Sequence, residues 1–443
     1  MKRHDRYYRA VWLILALAIP AGASASPEYI ESERQAAGSV QNSADSLDHA
    51  LRGKKLRRHF EALGRTLREG TLLLHPRNYY FHQRSDGQAS REAWAQGGWL
   101  SYDTPWWKDR LRLGTTLYTS QKLYGPADKD GSGLLQPGQQ SYTVLGQLYL
   151  EARLLDGMTL KLYRQALDLP YLNRNDVRMV PNTFEAALLM DTSHEHFAWG
   201  IGQVHRMKGR TSDRFVSMTE AAGIKGPDRG VSVAGFRYRL GNGLQLGAFE
   251  EYGRDYMNVF YAEANSRTRT LGDWGLQFSA QYTDQRALGD KLDGDFDTRS
   301  WGLKAAASHS GIIATVAHVR TAANARIRKP WGGSPSYLSL MISDFDRADE
   351  NGWRLGLSTD FSGLDLKGAS AFINYARGDT PEHGRNASPD QSELDFTVDY
   401  RFPGGPARGL WLRLRAAFLE QDGDEGNDDR QLRVIVNYDF PVF

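Results

Sequence analysis

Glu393-Leu394-Asp395-Phe396-Thr397-Val398-Asp399-Tyr400-Arg401-Phe402 is the run that decides the fold. Its even positions are apolar and its odd positions are polar or charged. Period two in side-chain character means a strand with one greasy face and one wet face. The pattern returns in Leu432, Val434, Val436, Tyr438 and Phe440, set against Arg433, Ile435, Asn437 and Asp439. It also returns in Trp353, Leu355, Leu357, Thr359 and Phe361, and in runs at 110–118, 143–154, 232–240, 274–283 and 298–308.

A soluble sandwich alternates too, so the links between strands have to separate the two possibilities. Strands are expected near 71–81, 92–102, 109–119, 141–155, 158–166, 185–191, 196–206, 230–240, 244–252, 256–265, 274–285, 298–308, 311–321, 352–361, 364–376, 392–402, 409–420 and 429–440. Links after even-numbered strands read as tight turns: Asp156-Gly157, Gly241-Asn242-Gly243 and Ser362-Gly363. Links after odd-numbered strands are mostly long: 120–140, 167–184, 207–229, 322–351 and 377–391. Tight turns on one side and long loops on the other are what a membrane barrel requires, and closure removes the exposed edges. The expected fold is all-β, an 18-stranded antiparallel transmembrane β-barrel over 71–443, behind a short polar, partly helical N-terminal extension.

Composition alone points elsewhere. The chain has 443 residues, 40% hydrophobic content and no Cys, with a mean hydropathy of -0.55. Those figures suggest a soluble β-rich protein of several domains, and they exclude a disulfide scaffold and a polytopic helical membrane protein. The formal charge of +2 gives no basic excess for nucleic acid. A barrel reconciles the low hydropathy with Trp 11, Tyr 21 and Phe 18: only alternate residues meet lipid, and rings suit its two interfaces. Trp106, Trp107, Trp353, Tyr400, Trp411 and Tyr438 fall near strand ends, and Phe443 supplies an aromatic terminus.

Residues 1–25 read as a signal peptide. Lys2, Arg3, Arg6 and Arg9 precede the apolar run Ala10–Ile19, and Ala23-Ser24-Ala25 supplies small residues for cleavage. Residues 26–70 read as a polar, basic periplasmic extension, with Leu56, Phe60, Leu63 and Leu67 at helical spacing.

Specific segments carry a family likeness. They are Arg77-Asn78-Tyr79-Tyr80-Phe81, Leu169–Glu185 with its Pro170-Tyr171-Leu172-Asn173-Arg174-Asn175-Asp176-Val177-Arg178 stretch, Arg210–Phe215, and Leu432–Tyr438. Together they resemble the OprD family of Gram-negative outer-membrane specific porins. The resemblance implies an 18-stranded channel whose third and seventh loops fold inward. It also implies uptake of small, usually carboxylate-bearing nutrients along a ladder of lumen arginines. The 45 residues between signal and barrel depart from that family's usual start.

Strand parity puts Arg413 and Arg415 on the lumen side, with Arg433 and Arg354, and likewise Arg110, Arg112, Arg237 and Arg239. Arg77 is complicated by Pro76. A guanidinium is always charged and offers a fork that fits a carboxylate, so a row of them makes successive anion stations. Arg413 is expected opposite Asp399, Arg415 opposite Thr397, and Arg415 beside Arg433. Like charges opposite each other are unfavourable unless water or an anion lies between, which makes Arg415 and Arg433 the best candidates for a solute station. In the third loop Asp176, Arg178 and Tyr171 complete the candidate set, with Phe184 shaping the constriction.

The expected function is a substrate-selective porin for passive uptake of small polar solutes, with aromatic acids or amino acids favoured. An oligosaccharide channel is the alternative; a barrel-borne lipid hydrolase lacks a G-x-S-x-G motif, and an adhesin-like barrel would not conduct. No enzyme activity, cofactor, metal or nucleic acid is expected. Outer-membrane lipid and lipopolysaccharide are the expected surroundings, with both termini periplasmic and the protein a monomer or a trimer. Asp128, Asp130, Ser132 and Gly133 imitate a calcium loop, but Gln139 stands where Glu is needed. His194 and His196 lack a third ligand. Asp422, Asp424, Asp428 and Asp429 form an acidic outer loop.

Overall fold

The computed structural model describes residues 69–241, 243–423 and 428–442. The signal peptide, nearly all of the 26–70 extension, Asn242, Asp424 and Phe443 lie outside the described residues. Eighteen strands form the wall: β1 Thr71–Ser85, β2 Arg91–Asp103, β3 Leu111–Tyr124, β4 Tyr142–Leu155, β5 Met158–Gln165, β6 Thr183–Asp191, β7 Phe197–Lys208, β8 Val231–Arg239 and β9 Leu244–Gly253. They continue as β10 Met257–Leu271, β11 Trp274–Ala287, β12 Asp297–His309, β13 Ile312–Thr321, β14 Asn351–Asp360, β15 Ala369–Asp379, β16 Gln391–Arg401, β17 Leu410–Gln421 and β18 Asp429–Tyr438. Each pairs antiparallel with its sequence neighbour, and β18 returns to β1 with Arg77 opposite Asn437 and Phe81 opposite Arg433. The sheet is a closed barrel.

Burial runs inside out. On β16, Glu393 is 0% exposed and Asp395 1%, while Phe396 is 41% and Val398 51% exposed. A water-soluble sheet would do the reverse. The apolar face looks outward to lipid and the polar face to the lumen, as the alternation of the sequence requires.

Several expectations shift. The Ser362-Gly363 turn is a longer link, 361–368, containing a short 3-10 helix over Ser362–Leu364, so β15 starts at Ala369 instead of 364. It is closed by Asp365 (φ 62°) and Gly368 (φ 88°), and a Cβ at Gly368 would sit 2.0 Å from the Arg401 carbonyl oxygen. Arg110 is in the link before β3, not on a strand; its Nη1 donates to the Leu154 carbonyl at 3.2 Å. As the expected strands 244–252 and 256–265 imply, the link between β9 and β10 is short, 254–256.

Pro76 does not break the alternation of β1. His75, Arg77, Tyr79, Phe81 and Gln83 all share the buried inner face, and Pro76 stands opposite Gly98, whose φ of 111° accommodates a residue without an N–H. Trp411 is also misplaced by its nearness to a strand end. It shares the inner face with Arg413, and its Nε1 donates to Asp399 Oδ1 at 2.8 Å. Beyond β18, Phe440–Pro441 pairs again with β1 at Leu73 and Leu74. Asp439, between the two strands, meets His75 Nδ1 at 2.5 Å.

Candidate functional site

The inner faces of β16, β17, β18 and β1 hold most of the candidate residues. Arg413 lies opposite Asp399 and donates from Nε and Nη2 to the two carboxylate oxygens at 2.7 and 3.0 Å. Arg415 lies opposite Thr397 on one side, with Nε to Oγ1 at 3.0 Å, and directly opposite Arg433 on the other. Arg433 donates from Nε to Gln431 Oε1 at 2.6 Å and from Nη2 to the Met341 carbonyl at 3.0 Å. Both Arg415 and Arg433 are buried.

Arg77 continues the row onto β1. Its Nε donates to Asn437 Oδ1 at 2.9 Å, and Nη1 donates to Asp176 Oδ1 at 2.8 Å and to the Arg178 carbonyl. Arg178 turns its side chain toward Ser132, with Nε to the carbonyl at 3.1 Å, and lies 4.8 Å over the Phe81 ring. Tyr79 donates its hydroxyl to the Val177 carbonyl at 3.2 Å.

Tyr171 is elsewhere. Its N–H donates to Glu251 on β9 at 3.1 Å, its hydroxyl bonds Thr283 on β11 at 2.9 Å, and its ring meets Tyr261 of β10 edge-on at 6.4 Å. It is buried in a cluster with Phe184 and does not join the arginines. In a ring of eighteen strands, β10 is diametrically across from β1. Five residues of extended chain reach roughly 18 Å, so segment 171–176 with its side chains touches opposite walls.

Arg354 is also separate. It projects from β14 between Ala317 and Ala376, buried, and its Nε and Nη1 have no hydrogen-bond partner among the described residues. Arg112 pairs with Glu151 at 2.7 Å and Arg237 with Glu263 at 3.5 Å. Arg239 is at an exposed strand end.

The residues that sequence reasoning missed are Gln391, Glu393 and Asp395, successive inner positions of β16. Glu393 accepts the N–H groups of Ile342 and Ser343 at 2.8 and 2.7 Å, and Asp395 accepts that of Met341 at 3.1 Å. Gln391 donates to Ser343 Oγ at 3.0 Å. Segment 322–350 is thereby fastened to the wall beside Arg433. Two carboxylates on one inner face were visible in the sequence, but not what they would hold. Glu393→Gln keeps one acceptor oxygen and turns the other into a donor facing an N–H, a loss of about 1 kcal/mol. Trypsin should then cut after Arg328 or Arg347 roughly fivefold faster in the folded protein; an unchanged rate would mean that the fastening does not hold this segment.

The two long segments also hold each other. Leu172 forms a parallel bridge with Trp331, and Asn173 bonds both the carbonyl and the N–H of Gly333, at 3.0 and 2.8 Å. Trp331 Nε1 donates to the Met218 carbonyl at 3.0 Å, which adds segment 209–230. Inner-face rings such as Tyr79, Phe81, Tyr118, Tyr142 and Tyr261 are packed against this assembly and form no open aromatic track.

The weaker motifs have local explanations. Asp130 accepts the N–H groups of Gly131 and Gly138, both at 2.7 Å, and the Gln139 amide donates to three carbonyls. Among the described residues no His, Asp and Glu group has metal-holding geometry. Asp422 pairs with Arg377 at 3.2 Å.

A closed wall that is apolar outside and polar within, crossed by loop segments, defines a β-barrel channel of the outer membrane. The family model described as "outer membrane porin, OprD family" matches residues 67–442. The chain belongs to that family, and its place is the outer membrane of Gram-negative bacteria. It is 22% identical to Porin D of Pseudomonas aeruginosa over 97% of this chain and 99% of that protein. It is similar to the solved Pseudomonas aeruginosa OccK9 (OpdG), at 26% identity and TM-score 0.77, covering 85% of this chain and 99% of the other. The Pseudomonas aeruginosa OpdK structure with vanillate superposes at TM-score 0.76 and 22% identity, covering 85% of this chain and 100% of that one. These relatives are porins, channels rather than enzymes.

Proposed function

We propose that this porin favours small carboxylate-bearing solutes, aromatic acids foremost, and that Arg415 and Arg433 are their main station. The observation that carries this reading is the cross-strand juxtaposition of the two guanidiniums on the lumen face. Two like charges at that spacing concentrate positive potential where a carboxylate is the natural complement. Arg413 and Arg77, each already facing an aspartate, flank the station as weaker steps. A solute must be held loosely enough to leave, so partly compensated charges suit a passage better than bare ones.

Asp176, Val177 and Arg178 then form one side of a constriction and the Met341–Ser343 apex the other, with Tyr171 anchoring the far end of the third loop. Arg354 would act as an outlying anion contact. That OpdK has been solved with vanillate, an aromatic carboxylate, supports the solute class for this chain. Residues 1–25 would direct export, and 26–70 would lie in the periplasm with both barrel termini.

The test is reconstitution of the full mature chain in a planar bilayer. Benzoate and vanillate should block the current at lower concentration than neutral sugars or lysine. Equal block by glucose, or block by lysine alone, would overturn the carboxylate reading.

A further inference from the structure

The outward face carries a feature that passage through the lumen does not use. On β11 the outward-facing series Phe278, Ala280, Tyr282 leads to Asp284 and Arg286; on β12 Leu303 and Trp301 lead to Arg299; on β13 Val316 and His318 lead to Arg320. Period two keeps each series on the lipid-facing side. Tyr282 stands opposite Trp301, Asp284 opposite Arg299, and Trp301 opposite Arg320. The aromatic rings thus form one level of the wall. Arg320 stands beside Trp301 at that level, Arg299 lies about 7 Å further along β12, and Arg286 about 7 Å beyond that on β11. This is the end of the long links 288–296 and 322–350, which faces outward in bacterial outer-membrane barrels.

The ion pairs at this level are polarised. Arg286 and Arg299 share Asp284, at 2.6 and 3.0 Å, and their side chains are 56% and 64% exposed while that of Asp284 is 11%. Arg320 is 40% exposed over Asp349 at 23%, and Arg254 is 75% exposed over Asp255 at 17%. In these four pairs the carboxylate is the more shielded partner; in link 288–296 the order inverts, with Asp295 73% exposed against Lys291 at 47% and Asp293 35% against Arg328 at 27%. Across β15 to β17 one cation is outnumbered: Arg377 is shared by Asp379 and Asp422, both more exposed than it, and by Asp390, which is less so. Arginines that outreach their acids are thus gathered at the outer ends of β11 to β13 and in the 254–256 link.

We propose that the outer rim of Arg286, Arg299 and Arg320, with Arg254 beside it, docks the phosphate groups of a phosphorylated saccharolipid in the outer leaflet. The girdle rings Tyr282 and Trp301 sit at the membrane interface, where amphipathic aromatics belong, and the guanidiniums reach the layer just beyond, where lipid phosphates lie. Arginine forks match phosphate oxygens in pairs. A site of two cations over one shared, shielded carboxylate retains net positive charge to offer.

The experiment is native mass spectrometry of the full mature chain in detergent, titrated with bis-phosphorylated lipid A, with its enzymatically dephosphorylated form, and with inorganic phosphate. The wild-type protein should bind the phosphorylated lipid at least fivefold more tightly than the dephosphorylated one. R286Q/R299Q/R320Q should abolish that preference, whereas R377Q, on the acidic side, should keep it. Equal binding of the two lipids by the wild type would overturn the proposal without recourse to any variant. So would an unchanged preference in the triple variant, equal loss in R377Q, or displacement of the lipid by inorganic phosphate at equal concentration, which would mark a free-anion site. Should the triple variant fail to fold, R299Q alone should lower the preference at least twofold, and no change would count against the docking surface.

Discussion

Replacing Arg415 and Arg433 together by alanine is expected to raise the benzoate concentration that half-blocks the single-channel current by about a hundredfold. Hydrogen bonds to charged groups contribute about 1.5–3 kcal/mol each, and loss of the two weakest such bonds is about 3 kcal/mol, or two decades in affinity. The residues sit opposite each other on β17 and β18, both 2% exposed, and Arg413, the next cation on β17, is already engaged by Asp399. Block by a neutral sugar should change less than threefold. A double lysine variant separates charge from shape: it keeps the potential but loses the planar fork, and should recover only part of the affinity. If sugar and benzoate lose affinity alike, the pair shapes the lumen and does not recognise carboxylates.

The second large effect concerns Asp176. Its carboxylate takes two bonds from Arg77, at 2.8 and 3.3 Å, and Arg77 is 9% exposed. Asp176→Ala leaves that guanidinium buried without this acid, at a cost of about 2–3 kcal/mol for a pair that is only partly desolvated. The population of third loops released from β1 should therefore rise roughly 30- to 150-fold. Single-channel recordings should show it as frequent transitions to a higher conductance, with weaker discrimination between benzoate and sugar. Asp176→Glu should restore much of the quiet state. A steady, unaltered current in Asp176→Ala would mean that Tyr79, Arg178 and the Asn173–Gly333 contacts hold the loop without the ion pair.

The wall was legible because its information is local. Alternation fixes which way each side chain points, and a short link fixes the register of the next strand. Asp399 opposite Arg413, Thr397 opposite Arg415, and Arg415 opposite Arg433 all follow from two turns and parity. The loops were not legible, because their contacts join distant parts of the chain. Arg77 and Asp176 are 99 positions apart, and Ile342 and Glu393 are 51 apart, with no periodicity linking them. Tyr171 belongs to the family-like segment, yet its partners Glu251 and Thr283 could not be deduced from it. Trp411 failed for a different reason: a ring near a strand end was taken for an interface anchor, although parity alone placed it with Arg413.

Asn173 has one further meaning. By bonding both sides of Gly333, with Trp331 bonded in turn to Met218, it makes three separately encoded segments behave as a single part. A change that reshapes one of them must be met by the others, so solute preference in this channel would diverge in steps of matched loops within one cylinder. Exchanging one loop between relatives would transplant only a fragment of an orifice.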